Sequence, residues 1–132
     1  MSRNVDTREL ERFRDRLAKL EKDARAFTEY SAKDLASRLL RAVKLRTPVD
    51  TGNLRRNWTV GEITKNGRTF RIEIINPTEY AVYVEYGHRT ANHKGWIEGR
   101  FMLTKSELWL KGRQGQILNK KLDEWIKEHW ND

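Results

Sequence analysis

The side chains with the clearest potential for metal chemistry are two histidines and a glutamate in one polar segment. His88 and His93 lie five residues apart, and Glu98 follows five residues later. Imidazole and carboxylate groups are ligands that zinc accepts. This spacing within a loop matches no recognised ligand pattern, however. We therefore interpret these side chains as solvated loop residues and expect no metal and no other cofactor.

A second candidate for catalysis is the carboxylate pair Glu124 and Glu128, one helical turn apart near the C-terminus. Such a pair can act as acid and base only inside an enclosed pocket, and we interpret these residues as helix-surface charges. None of the four serines sits in a Gly-x-Ser-x-Gly elbow. The chain has no cysteine, which excludes disulfides, thiolate nucleophiles and cysteine zinc sites. We predict that the protein is not an enzyme; one built on the His88/His93 loop is the alternative.

The strongest compositional signal is positive charge. The chain carries a formal net charge of +8, and residues 38–56 and 86–121 hold the whole excess. Basic faces attract nucleic acid or an acidic protein surface, and phosphate contacts need only such charges. No zinc finger, helix-turn-helix or aromatic RNA-binding signature accompanies them. A small basic nucleic-acid-binding module therefore stays an alternative function. The candidate DNA-channel or partner-facing cations are Arg38, Arg41, Lys44, Arg46, Arg55 and Arg56.

The element that must position the first of these cations is a helix from about Asp6 to Arg46. Its apolar residues recur at three- and four-residue steps, as one helix face requires; they are Leu10, Phe13, Leu17, Leu20, Ala24, Phe27, Leu35, Leu39, Ala42 and Val43. One helix of this length measures about 60 Å, against a radius of gyration near 14 Å for a compact chain of this size. Such a helix would overhang its domain and need another subunit. Two shorter helices, broken near Thr28 to Ser31, are the alternative.

The rest of the chain predicts a small sheet followed by helices. Pro48 ends the first helix, and Asn66-Gly67 is a strong hairpin signal between alternating segments. Residues 80–86 fit a strand or a short helix, and 87–99 an exposed loop. Helices should cover about 100–111 and 116–130, separated by Gly112 and Gly115.

The length of 132 residues favours one domain. The predicted fold class is α+β: a long N-terminal helix packed on a small antiparallel sheet, with one or two C-terminal helices. We divide residues 1–132 into a helical arm (1–46), a segment of turn, β-hairpin and loop (47–99), and C-terminal helices (100–132).

Two motifs resemble those of the tail-component family of tailed bacteriophages. They read Thr47-Pro-Val-Asp-Thr-Gly-Asn-Leu-Arg-Arg-Asn-Trp58 and Tyr80-Ala-Val-Tyr-Val-Glu-Tyr-Gly87, and an aromatic-led helix start, Arg100-Phe-Met-Leu103, follows them. Their order and spacing agree with that family over most of the chain. The first motif supplies Pro48, Asp50, Thr51, Gly52, Leu54 and Arg55, which we interpret as shaping the turn from helix to strand. The second supplies Tyr80, Tyr83, Glu85 and Gly87, which we interpret as fold or subunit contacts.

The resemblance implies a structural role in the virion. Members of the family are similar to minor tail, tail completion, neck and head–tail joining proteins. The expected assembly is a ring of six copies at the tail–head junction. The expected partners are further copies of the chain, tail-tube proteins, connector or neck proteins, and passing DNA in transient, non-specific contact. The protein would be made in the cytoplasm of the bacterial host and reside in the tail or neck, with no membrane contact.

Overall fold

A computed structural model describes residues 8–49, 52–67 and 69–130, apart from the side chains of Arg16 and Trp130. The elements, in chain order, are α1 (Arg8–Arg46), α2 (Asn53–Arg56), β1 (Thr59–Asn66), β2 (Thr69–Ile75), α3 (Ala81–Tyr86), β3 (Gly87–Arg89), β4 (Trp96–Glu98) and α4 (Met102–Trp130). The predicted α+β class is confirmed.

The helix α1 is continuous over 39 residues. The alternative of a break near Thr28 to Ser31 is wrong. The Thr28 hydroxyl donates to the Ala24 carbonyl at 2.8 Å, one turn back in the same helix, so this polar residue is accommodated without a break. Asp6 and Thr7, the start of the predicted helix, lie outside the described residues. The apolar periodicity keeps its phase on both sides of Thr28 and Ser31, as one continuous helix requires.

The strands β1 and β2 form the predicted antiparallel hairpin. Asn66 pairs with Thr69, and the register shifts between Val60 and Ile63. Gly67 has φ +63°, a conformation that glycine adopts without strain. Ile72 and Ile74 pack against the core from the face that α1 covers. The alternating pattern of β2 therefore predicted correctly which face of the strand packs against the core.

The segment after β2 agrees with the expectation over residues 81–86 and differs from it over residues 87–99. Residues 81–86 form the short helix α3, one of the two structures that the pattern allowed. Residues 87–99, expected as a loop, contain a second hairpin in which His88 pairs with Ile97 and Arg89 with Trp96. Its strands have three residues each and mostly exposed side chains, so they lack the alternating apolar pattern by which a strand is recognised.

The helix α4 runs through Gly112 and Gly115, and the expected interruption is wrong. A Cβ at either glycine would meet nothing within 4 Å. An exposed glycine lowers helix stability by about 1 kcal/mol relative to alanine but does not end a helix that tertiary contacts hold. α4 packs antiparallel to α1, since Ser106 contacts Arg46 while His129 lies 3.8 Å from Asp23.

The core lies where α1, the first hairpin and α4 meet. It contains Leu35, Leu39, Val43, Leu54, Trp58, Ala81, Met102 and Leu110. Near the end of α4, the rings of Phe27 and Trp125 stack at 5.4 Å between centroids. The first turns of α1 extend beyond this contact, and Leu10, Phe13 and Leu17 there are 65%, 58% and 50% exposed. The predicted overhang is confirmed. Within the described ranges, no helix is both long and apolar enough to span a lipid bilayer.

Candidate functional site

The first motif begins with two hydrogen bonds of one hydroxyl at the end of α1. The Thr47 hydroxyl donates to the Val43 carbonyl at 2.7 Å and accepts from the Trp58 indole Nε1 at 2.8 Å. Thr47 and Trp58 are both buried. A single hydroxyl therefore ties the last turn of α1 to the start of β1. Neither residue was assigned a role from the sequence, although both lie within the motif.

The turn after Thr47 contains the next motif residues. Gly52 has φ +65° and donates its amide to the Val49 carbonyl at 3.1 Å. Leu54 lies in the core, and its carbonyl accepts from the Asn76 side-chain amide at 2.8 Å. Asp50 and Thr51 lie outside the described residues. The described part of this motif thus links the end of α1 to the end of β2.

The second motif contributes a buried carboxylate to the start of α4. Glu85 is buried; its Oε1 accepts from the Leu103 amide at 2.9 Å, and its Oε2 accepts from the Thr104 amide at 3.0 Å and the Thr104 hydroxyl at 2.8 Å. The first amides of a helix have no partner within the helix, and a negative charge there is favourable. Glu85 therefore caps α4 from another element.

Gly87 allows a close approach between chain segments. It has φ +89°, and a Cβ there would lie 2.6 Å from the Ile97 carbonyl oxygen and 2.9 Å from the Gly99 amide nitrogen. A side chain at this position would separate β3 from β4. The second hairpin thus depends on the last residue of the motif.

The two motifs meet around a pocket of about 230 Å³. Asn53 donates to the Tyr80 hydroxyl at 3.3 Å across the junction. The residues that line the pocket come from both motifs and the second hairpin: Pro48, Leu54, Tyr80, Tyr83, Val84, His88, Ile97, Glu98 and Arg100. The Nδ1 atom of His88 is buried with no hydrogen-bond partner among the described residues.

Exposed apolar and aromatic side chains occur in both motifs and in the second hairpin, and two of them, Tyr83 and Ile97, line this pocket; we call the whole set the motif surface. Its members are Val49, Val82, Tyr83, Tyr86, Trp96 and Ile97. Trp96 and Ile97 were not singled out from the sequence, because a loop assignment gives no reason to group them with the motifs. Apolar side chains exposed in this number are typical of a protein that contacts other proteins.

The structure separates the residues that suggested metal or acid–base chemistry. His88 is in β3, while His93 is in the exposed turn of the same hairpin with φ +57°. No group of three His, Cys, Asp or Glu side chains that could hold a metal ion occurs in the described part of the chain. Glu124 and Glu128 line an open pocket beside Trp125.

The candidate cations do not form a single row. At about 100° per residue, Arg38, Arg41 and Lys44 span about 120° of the α1 surface, and Arg46 lies a further 80° beyond Arg38 on the other side. Arg38 is in contact with Asp34, and Arg46 donates to Ser106 Oγ at 3.4 Å. Arg41 and Arg56 are exposed. Arg55 and Arg56 lie in α2, directly after Leu54, which lines the pocket.

Asp34 joins α1 to α4. Its Oδ2 lies 2.8 Å from Arg38 Nε and 3.3 Å from Lys121 Nζ. Partial burial by itself raises the pKa of Asp34, but the hydrogen bonds and charges of Arg38 and Lys121 outweigh that effect, so the pKa lies below its ordinary value. The ionised carboxylate therefore stabilises the packing of the two long helices.

In the described part of the chain, the motif residues end α1, form the turn that follows it and cap α4, and these roles are structural. A comparison with protein-family models matches residues 11–87 to the family described as "Bacteriophage HK97-gp10, putative tail-component". The matched region includes most of α1 and both motifs, more than half of the chain. The protein belongs to this family of phage tail components. Searches of curated proteins and of solved structures found no match.

Family membership confirms the resemblance that the two motifs indicated. The protein is a tail component of a bacteriophage, a class that implies a structural rather than an enzymatic role and contacts with other tail proteins. The match ends at Gly87, so the second hairpin and α4 lie beyond it. The second hairpin helps to line the pocket between the motifs, and α4 packs against α1.

Proposed function

We propose that this tail component completes the tail or forms part of the neck, as a ring of copies at the tail–head junction. The observation that carries the proposal is the exposed apolar face of the overhanging part of α1, Leu10, Phe13 and Leu17. Burying such side chains is favourable by about 1.5–3 kcal/mol each. A rigid helix that presents them away from its own core needs a neighbouring subunit.

The ring would have six copies and contact the tail tube on one side and the connector or neck proteins on the other. The motif surface supplies the second contact area that such a position requires, because its residues follow the C-terminal end of α1, whereas the overhang is at the N-terminal end of that helix. In this proposal residues 1–132 act as one domain. The protein is made in the cytoplasm of the bacterial host and resides in the tail or neck of the virion.

The basic residues support a role beside passing DNA. A channel lined with cations attracts a polyanion without reading its sequence, and the net charge of +8 agrees with this. In the proposed ring, the channel-facing or partner-facing cations are Arg38, Arg41, Lys44, Arg46, Arg55 and Arg56. DNA contact is transient and non-specific, since tight binding would oppose movement of the genome.

Electron cryomicroscopy of the assembled particle tests the proposal. The expected result is a closed ring of this chain between the tail tube and the head, with the overhanging part of α1 buried against a neighbour. A single isolated copy, or a location at the distal end of the tail, would contradict it.

A further inference from the structure

A groove runs along the molecule where α1, β2 and α4 meet. It has a volume of about 570 Å³ and is lined mainly by apolar side chains. Leu35 and Leu39 form one wall, Ile72 lies on the sheet side, and Leu118 belongs to α4. The hydroxyl of Ser31 also lines the groove and is buried with no hydrogen-bond partner among the described residues. Its floor consists of buried apolar side chains, which an apolar helix face can contact, whereas exposed residues at its rim, such as Thr28, Glu107 and Lys111, are polar.

The same chain has an apolar helix face that no other part of the described chain covers. We call residues 8–20 the arm; in it Leu10, Phe13 and Leu17 lie at three- and four-residue steps and are at least half exposed. Exposed apolar residues at this spacing form the stripe that an amphipathic helix lays into a groove. The arm and the groove are therefore complementary in chemistry.

The arm cannot reach the groove of its own chain. Phe13 and Leu35 lie on the same continuous helix, 22 residues apart, which separates them by about 33 Å along the axis. No hinge lies between them, because α1 is helical throughout. The occupant must therefore belong to another molecule.

We infer that the arm of each copy docks in the groove of the next copy. This inference rests on the proposed ring and names the contact that builds it. A closed ring of more than two copies requires a heterologous interface, in which two different surfaces of the chain meet. The arm and the groove are two such surfaces. Leu10, Phe13 and Leu17 fill the groove between α1 and α4 of the neighbour.

Disulfide trapping tests the contact in the full-length protein, which has no native cysteine. Leu17→Cys places a thiol on the arm, and Gln114→Cys places one at the edge of the groove; both positions are exposed. Mixing the two single-cysteine proteins at high concentration under mild oxidation should give mainly the mixed dimer. Glu62→Cys, exposed on β1, replaces Gln114→Cys in the control. Docking raises the effective concentration of the two thiols, so we expect about tenfold more cross-linking than in the control.

A second variant tests the apolar stripe. Phe13→Glu should abolish cross-linking between positions 17 and 114, while Ala18→Glu should not. Both changes add one negative charge at an exposed site of the arm. Neither site belongs to the core, so both variants should fold, which circular dichroism verifies.

Two outcomes would overturn the inference. Predominant Leu17→Cys homodimers would mean that arms pair with each other, and cross-linking no greater than in the Glu62→Cys control would mean that the arm does not occupy this groove. Both outcomes leave the ring itself to be judged by particle imaging. Conversely, efficient cross-linking between positions 17 and 114 with no ring in the particle would contradict the proposed function while supporting the contact.

Discussion

Glu85 shows how one motif residue can hold two distant parts of the chain together. Its two oxygens accept three hydrogen bonds from Leu103 and Thr104, so the short helix α3 supplies the cap of the long helix α4. The sequence indicated a fold or subunit contact for this residue, and it makes a fold contact. Because both oxygens of this buried carboxylate accept hydrogen bonds from the first turn of α4, Glu85 stabilises the fold.

Replacing Glu85 by alanine should therefore destabilise the protein. The variant leaves two amides at the start of α4 without their acceptor, and we expect a loss of about 1–3 kcal/mol in the free energy of unfolding. Urea denaturation measures it. Glu79→Ala, at an exposed position just before α3, is the control and should change stability little. Equal effects of the two variants would show that the cap contributes nothing.

Gly52 is a second residue whose conformation limits its replacement. Its φ of +65° is strained for a β-branched side chain, so Gly52→Val should lower stability by about 1–3 kcal/mol. Asparagine tolerates this region better, so Gly52→Asn should lose less. Thermal melts of the three proteins decide the matter, and an unchanged midpoint for the valine variant would contradict it.

Asp34 should make stability depend on pH. Its pKa is lowered in the folded state, so its contribution is present above the ordinary aspartate pKa of about 3.9 and is lost as the pH falls through the lowered value. At pH 7, Asp34→Asn should lower stability by about 0.5–1 kcal/mol. In strong acid the variant and the parent should converge. Asp15→Asn, at an exposed site of the arm, is the control for urea melts at both pH values. A difference independent of pH would contradict the assignment.

At the scale of elements, α1 and α4 differ in how well their patterns predict them. α1 has an apolar stripe that keeps its phase on both sides of Thr28 and Ser31, and its end at Arg46 was predicted correctly. α4 contains two glycines that suggested an interruption, yet it is continuous because its flanking turns pack on α1 through Leu110, Leu118 and Trp125. Local propensity is a weak signal where tertiary packing holds a helix.

The glycines of α4 should therefore be replaceable with a gain in stability. Gly112→Ala should raise the free energy of unfolding by about 1 kcal/mol, because alanine has the higher helix propensity and the added Cβ meets open space. Gly115→Ala should act similarly. Gly87→Ala is the contrasting variant and should destabilise, because its Cβ would overlap the Ile97 carbonyl. A loss of stability in Gly112→Ala would mean that α4 is not helical there.

At the scale of the whole molecule, the basic charge predicts weak DNA binding that falls steeply with salt. Each phosphate contact contributes a slope of about one to the logarithmic salt dependence. Replacing Arg41 and Arg56, two exposed cations, by glutamine should therefore flatten that slope. Lys65→Gln, on the first hairpin, is the control. Fluorescence titrations with duplex DNA across salt concentrations measure both.

Two results of that titration would change the interpretation. Nanomolar, sequence-selective binding at physiological salt would favour a nucleic-acid-binding module over a channel lining. Absence of binding even at low salt would assign the cations to protein interfaces, where they would face acidic neighbours.

The sequence by itself determined the Asn66-Gly67 hairpin and the family, and it predicted a helical first segment while leaving a break near Thr28 to Ser31 as the alternative. Each depends on local information: a helical repeat of apolar residues, a two-residue turn signal, and two short motifs whose residues lie within a few positions of one another. For one unbroken helix the overhang followed from length, because a helix of about forty residues exceeds the dimensions of a compact chain of this size; the structure decided that the helix is unbroken.

Only the tertiary structure decided how the motifs work together and where the apolar surfaces lie. Glu85 caps a helix that begins 17 residues later, and Thr47 bonds to an indole 11 residues away; these pairings depend on chain packing and have no local pattern. The groove is formed by α1, β2 and α4, which are distant in sequence. Likewise, the single stripe of α1 is buried beside α4 but exposed in the arm, because burial depends on where the opposing helix ends.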